Sequence, residues 1–280
     1  MIFVLGATGK VGRALVPALL DAGAAVRALT RDPAKARIDP RAEVVRGDLD
    51  TSDLPALLAG ADRVFVLTHN ADREAAVAQA AARSGVSHLV KLSTTGVHFG
   101  QKDAISRAHA EAEQAVREAG PAWTILRPGA FMDNRFAWIG SIREENAVYV
   151  PETDPPSALV HVRDIAEVAT LVLTTSGHEG ATYGLTGGEA LTAEQQVAIL
   201  SEAIGRPLKY VEETESAAKD RLIRMYGWPA KAIDGLFALK RESAPHERVV
   251  FDTVERLLGR PPLTFAAWAR ENASAYHHQE

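Results

Sequence analysis

Three glycines near the amino terminus have the types and the spacing to hold a dinucleotide. Gly6, Gly9 and Gly12 stand at i, i+3 and i+6 in M-I-F-V-L-G-A-T-G-K-V-G. In such a loop one glycine permits a tight turn. A second lets the backbone approach a pyrophosphate, and a third lets helix and strand pack closely. The anion then meets free N–H groups at a helix N-terminus, where the dipole favours negative charge. Some twenty residues on, at Thr30-Arg31, NAD-binding folds carry an acidic residue for the ribose hydroxyls, whereas an arginine accommodates a 2′-phosphate. Here Arg31 stands there, with Lys35 one helical turn later. The pattern favours NADP(H) over NAD(H), since a guanidinium matches a phosphate. The competing account of Arg31 is a solvated basic residue beside a helix start at Asp32-Pro33.

The spacing G-x-x-G-x-x-G is not the simplest fingerprint, so its flanks must decide. Ile2–Leu5 is a short apolar run suited to a strand buried on both faces. After the glycines, Val11, Leu15, Ala18, Leu19 and Ala22 share one helical face that ends at Gly23. Strand, glycine turn and helix are the context the fingerprint needs. Further strands are predicted at 25–29, 43–46, 63–68, 88–93, 123–126, 158–162, 182–185 and 208–211. Helices are predicted at 75–84, 106–119, 165–173 with an Asp164 cap, and 193–204 with a Thr192 cap. Ser52 is expected to cap a short helix bearing Leu54, Leu57 and Leu58. Strands alternating with helices imply an α/β fold, a doubly wound parallel (Rossmann) sheet. The expected division is a nucleotide domain over residues 1–185 and a mainly helical substrate region over 186–280, packed over the carboxyl edge of the sheet. Ligands bind at that edge. It carries Thr68-His69-Asn70 and Ser93-Thr94.

The remaining bounds are broad. The chain has 280 residues, 46% hydrophobic and 24% charged, with a net charge of −5 and no cysteine. Thiol chemistry, disulfides and zinc–thiolate sites are excluded, and no metal site is expected. No basic cluster points to nucleic acid, and no apolar stretch approaches a membrane span. A cytoplasmic protein with a small-molecule substrate is expected, as monomer or homodimer.

G-A-T-G-K-V-G at 6–12, T-R-D at 30–32, G-D-L at 47–49, T-I-L-R-P-G at 124–129, F-M-D-N at 131–134 and H-V-R-D-I-A at 161–166 together resemble the NmrA-like, atypical branch of the short-chain dehydrogenase/reductases. That branch includes NADPH quinone reductases, azoreductase-like proteins, ergot-alkaloid reductase relatives and NADP-sensing regulators. The resemblance implies that Gly6, Thr8, Gly9, Lys10, Val11 and Gly12 hold the pyrophosphate and that Arg31 meets the 2′-phosphate. It implies Asp48 and Leu49 around the adenine, and Thr68 and Ser93 along the ribose and nicotinamide. Asp48 has a second reading as a turn cap.

One departure bears on chemistry. Ordinary members carry Tyr-x-x-x-Lys on the helix after the strand that ends at Ser93. Aligned on Glu113, the tyrosine position is Ile105 and the lysine position is His109. His109 and Ser93 are the candidate catalytic residues. His109 is either a ribose or nicotinamide contact or a plain helix histidine. His98, Phe99, Phe131, Met132 and Trp138 are candidate substrate contacts, and core packing or solvation accounts for each equally well. His161 and Asp164 read as structural. Three functions follow. One is an NADPH-dependent reductase of a conjugated acceptor (quinone, azo, enone or iminium). Another is a sensor that binds NADP(H) without turnover. The weakest is a sugar-nucleotide epimerase or dehydratase, whose chemistry needs the Tyr-Lys pair to move protons.

Overall fold

The computed structural model describes residues 1–68 and 70–277. In chain order the elements are β1 (Ile2–Val4), α1 (Lys10–Asp21), β2 (Val26–Thr30), β3 (Glu43–Arg46), α2 (Leu54–Leu58), β4 (Arg63–Val66), α3 (Ala71–Arg83), β5 (His88–Leu92), α4 (Thr95–His98), α5 (Ala104–Glu118) and β6 (Ala122–Pro128). They continue with α6 (Ile139–Glu145), β7 (Ala147–Pro151), α7 (Val162–Thr174), β8 (Thr182–Leu185), α8 (Ala193–Ile204), β9 (Lys209–Glu213), α9 (Glu215–Tyr226), α10 (Ala230–Ser243), α11 (Thr253–Leu258) and α12 (Phe265–Asn272). They form two compact units. The first contains 1–128, 162–185 and 253–260; the second contains 129–161, 186–252 and 261–280.

The first unit is built on a parallel sheet of seven strands among the described residues, in the order β3-β2-β1-β4-β5-β6-β8. Ile2 pairs with Val26 on one side and Arg63 on the other, which makes β1 a central strand. The chain winds outward from β1 to β3, then returns to β4. This reversal creates the crevice at the carboxyl ends of β1 and β4 where such sheets bind ligands. The central strand β1, I-F-V, is an unbroken buried apolar run, as expected of a strand covered on both faces. On one face α1 packs against α7, and on the other α3 packs against α2 and α5. Glu74, Val77, Ala78 and Ala81 form the buried stripe of α3. Phe3, Leu5, Val64, Val66, Leu89 and Val116 meet this stripe in one cluster. Each large side chain there contributes about 1.5–3 kcal/mol through burial.

The second unit has a small parallel sheet, β7 beside β9, with helices around it. Its core gathers Val148, Leu200, Phe265, Trp268 and Tyr276. The polar tips in that core are satisfied. Trp268 donates to Asp133 at 2.9 Å and the Tyr276 hydroxyl donates to the Arg135 carbonyl at 2.9 Å. Thr192 and Gln195 form a reciprocal capping box on α8.

Several predicted elements differ. The strand expected at 158–162 reduces to isolated bridges, Phe131 to Val160 and Ser157 to Leu191. The strand expected at 208–211 is β9, and its partner is β7, a segment the sequence pattern did not reveal because Pro151 and a polar loop follow it at once. Helix α7 starts at Val162, so Asp164 lies within its first turn and is not its cap; Asp164 pairs with Arg260 at 2.8 Å. Asp53, not Ser52, caps α2 by accepting from the Ala56 amide, while the Ser52 hydroxyl accepts from the Asp48 amide.

Candidate cofactor and active site

The glycine turn lies between β1 and α1, and its glycines have distinct roles. Gly6 is at φ +68°, a conformation that suits glycine. A Cβ on Gly12 would fall 2.2 Å from the Gly6 carbonyl oxygen, so helix and turn touch at that point. Gly9 is at φ −78°, which any residue adopts, and a Cβ there would meet only the Gly6 oxygen, at 3.2 Å. Gly9 therefore matters for what approaches it and not for its own backbone. It caps α1 without a side-chain acceptor, and no acidic residue occupies the first turn. The first amides of α1 thus keep their affinity for an anion. Thr8 and Lys10 are exposed beside the turn, and Val11 and Gly12 are buried in the helix. This cradle fits a pyrophosphate.

Arg31 is exposed just past β2. Lys35 is 88% exposed and lies 3.3 Å from Asp32. A cavity of about 380 Å³ beside the turn is lined by Ala7, Arg13 and Arg37 among others. Sequence reasoning passed over both arginines; their signal was only a basic residue on the first turn of α1 and another on the loop after β2. Asp48 makes a turn cap, its carboxylate accepting from the Asp50 amide at 3.0 Å. Leu49 packs half-buried against the main core cluster.

The ends of β4 and β5 are built from buried charge. Thr68 donates its amide to Glu74 Oε1 at 2.6 Å, with its hydroxyl 3.2 Å from the same oxygen. Glu74 Oε2 forms an ion pair with Lys91 Nζ at 2.8 Å, and these side chains are 1% and 0% exposed. Lys91 Nζ also lies 3.0 Å from His109 Nδ1 and donates to the Leu92 carbonyl. Burial pushes the Lys91 ammonium below the usual lysine range, and the Glu74 carboxylate opposes that shift. Asn70 caps α3 by accepting from the Arg73 amide at 2.9 Å. His69 lies outside the described residues.

Around Ser93 a second buried cluster forms. Its hydroxyl donates to Glu113 Oε1 at 2.5 Å. Arg127 grips Glu113 with two bonds of 2.8 and 2.6 Å, and Arg117 approaches at 3.0 Å. Burial raises the Glu113 carboxyl, but the bonds from Arg127 and Ser93 outweigh it and hold the group below the usual carboxylate range. Ile105 is 55% exposed on the first turn of α5. His98 is exposed, its ring set edge-on to Phe99 at 4.8 Å.

In the second unit, Met132 is 1% exposed and belongs to the core cluster. Phe131 is half-buried, and Trp138 lies beneath the Arg135 guanidinium at 4.8 Å. His161 is buried beside Glu271, at 3.3 Å. Among the described residues no helix is long and apolar enough to cross a membrane, and no group of three or more histidines and carboxylates gathers as a metal site would require.

The profile described as NAD(P)H-binding matches residues 6–176. The chain belongs to that family. It is 41% identical over 99% of its length to the (4-alkanoyl-5-oxo-2,5-dihydrofuran-3-yl)methyl phosphate reductase of Streptomyces griseus, covering 99% of that protein. It is 39% identical to the NAD(P)H azoreductase of Xenophilus azovorans, again over 99% of each chain. The Escherichia coli NADPH-dependent quinone oxidoreductase, solved with NADPH, superposes with a TM-score of 0.83 at 25% identity, over 97% of this chain and 99% of that one. The reductase resemblance read from the motifs is borne out. This family member is an NAD(P)H-dependent oxidoreductase with a Rossmann-type sheet, and the two relatives just given are named as reductases.

Proposed function

We propose that this oxidoreductase moves a hydride from NADPH to a conjugated acceptor: an enone, quinone, azo or iminium group. The observation that carries the reading is the commitment of the side chains at the β5 edge. Ser93 gives its hydroxyl proton to Glu113, and Ile105 has no proton to give. Hydride addition to a plain ketone creates an alkoxide and needs an acid of matched pKa. Addition to a conjugated system spreads the new charge, and addition to an iminium removes a charge. Such acceptors need positioning more than acid. When bound, NADPH supplies the hydride; for an enone, quinone or azo acceptor the proton that completes the reduction comes from water, and an iminium needs none. The Gly6–Gly12 turn binds the pyrophosphate. Arg31, with Arg13 and Arg37 close to the turn, selects the 2′-phosphate. Thr68 and His109 hold the ribose, Ser93 lies along the nicotinamide, and His98 with Phe99 meets the acceptor.

The relatives' names support this class. A 4-alkanoyl-5-oxo-2,5-dihydrofuran holds a ring C=C conjugated with carbonyl groups, and an azo group is a conjugated N=N. The test is NADPH consumption against a panel of butenolides, quinones, azo dyes and cyclic iminium ions, with secondary alcohols and NADP⁺ as the contrast. Turnover is expected with conjugated acceptors and very little alcohol oxidation. Alcohol oxidation of comparable kcat/KM would overturn the reading.

A further inference from the structure

Arg135 carries a charge that the second unit does not neutralise by contact. It lies in the 3₁₀ stretch Met132–Trp138, directly after the F-M-D-N motif, and is half-buried. A guanidinium has five N–H groups and no acceptor of its own. Nε–H donates to Gln196 Oε1 at 2.6 Å, and Nη2 has only the Ser157 hydroxyl at 3.4 Å, a long contact. Trp138 covers one face of the plane at 4.8 Å. Among the described residues Nη1 makes no hydrogen bond, and no carboxylate lies within ion-pair distance of Arg135.

The side chain is nevertheless held in place. Gln196 is fully buried on α8, and its amide group donates to the Leu191 carbonyl at 3.0 Å, so its oxygen is aimed at Arg135. The acidic groups whose fields reach the guanidinium come from two further segments and are engaged elsewhere. Asp154, in the loop after β7, pairs with Lys240 of α10 at 2.6 Å. Glu247, past the end of α10, hydrogen-bonds Ser243, and burial pushes its carboxyl above the usual range. Burial likewise pushes the guanidinium below the usual arginine range, and Asp154, Glu247 and Tyr276 only partly oppose that shift. A desolvated charge in this condition costs free energy that a hydrogen-bonded anion recovers. The unfilled Nη edge is a planar fork. It matches two oxygens of one oxyanion, whereas a lone ketone or ester oxygen engages it singly.

We propose that Arg135 is a specificity-determining residue: its Nη edge takes a carboxylate or phosphate carried by the acceptor, so that the preferred acceptors are anionic. That the anion belongs to the acceptor rests on the reductase reading above; the anion seat in the second unit does not.

The probes are 4-(phenylazo)benzoate and its methyl ester, which share the N=N group and differ in charge. With NADPH saturating, the wild type should favour the carboxylate by about ten- to a hundredfold in kcat/KM, chiefly through KM, as a charge-assisted hydrogen-bonded contact implies. Arg135→Gln should bring that ratio close to one. Arg135→Lys should keep only part of it, because a point charge lacks the fork. Equilibrium dialysis of the same two probes, with NADP⁺ filling the cofactor site, reads the seat without turnover. A dialysis preference for the carboxylate that Arg135→Gln removes, with neither probe reduced, would sink the reductase reading and uphold the seat. A wild type that does not prefer the carboxylate would overturn the inference, as would a preference that survives in Arg135→Gln. If that variant fails to fold, an undiminished preference in Arg135→Lys would overturn it equally.

Discussion

The two sides of the nucleotide crevice are made differently. Between β1 and α1 the proposed site is backbone: glycines clear space and the first turn of α1 carries neither a side-chain cap nor an acidic residue. At the ends of β4 and β5 it uses buried side chains, Glu74 with Lys91 and His109, and Glu113 with Arg127 and Ser93. A backbone site fails when something is added to it. A side-chain site fails when something is taken away.

The largest expected effect is on the side-chain side. Glu113→Ala leaves Arg127 without its bidentate partner and should cost about 3–5 kcal/mol of stability, read by chemical denaturation. The same carboxylate gives a pH signature. Its folded pKa lies below the usual value, so its stabilisation is complete above the unfolded value of about 4.3. It is lost as pH falls through the folded value. Stability should decline below about pH 5 in the wild type, and that part of the decline should be missing from Glu113→Gln. A loss under 1 kcal/mol in Glu113→Ala would show that the cluster is not energetically closed.

The backbone side breaks by the opposite operation. Gly9 tolerates a side chain conformationally, at φ −78°, so Gly9→Val should fold with stability within about 1 kcal/mol. Its branched side chain would occupy the pyrophosphate position, and NADPH affinity should drop by at least about a hundredfold, a cost near 2.7 kcal/mol. Unchanged affinity by calorimetric titration would remove the turn from the site. Arg31→Ala should weaken NADPH by about 1.5–3 kcal/mol, roughly ten- to a hundredfold, and leave NADH nearly unaffected. Equal losses for both cofactors would mean that Arg31 does not read the phosphate. The smallest effect is His109→Ala: about tenfold in NADPH affinity, with the hydride step, followed in single turnover with deuterated NADPH, nearly intact. A collapsed chemical step with intact binding would make His109 an acid.

The same contrast governs what was readable in the chain. The Gly6–Gly12 turn was legible because glycine spacing between an apolar run and an amphipathic helix has few other physical causes. The doubly wound parallel sheet of the first unit followed from the alternation of strands and helices; its strand order, β3-β2-β1-β4-β5-β6-β8, was set only by folding. The buried charges were hidden by their own surroundings. Lys91 interrupts H-L-V-K-L, and Glu74 leads the stripe continued by Val77, Ala78 and Ala81. The sequence signal was an ionisable residue at a core position, and a partner eighteen residues away, as with Lys91 and His109, is fixed only by folding. Strand β7 stayed hidden for another reason: five residues ending in proline carry too little period to announce a strand whose partner begins at Lys209.

The chain segments of the first unit bear on how the molecule is made. Strand β6 has β5 on one side and β8, residues 182–185, on the other, and α11 joins that unit only at 253–258. During synthesis the amino-terminal 128 residues therefore emerge with the far edge of β6 unpaired, and its partner arrives more than fifty residues later. An open apolar edge of this kind invites pairing with another nascent chain. The Rossmann unit cannot finish on the ribosome as a self-contained first half. Fragments that stop at the apparent end of the nucleotide-binding strands should aggregate, and recovery of the protein should depend on chaperone supply through the later part of elongation.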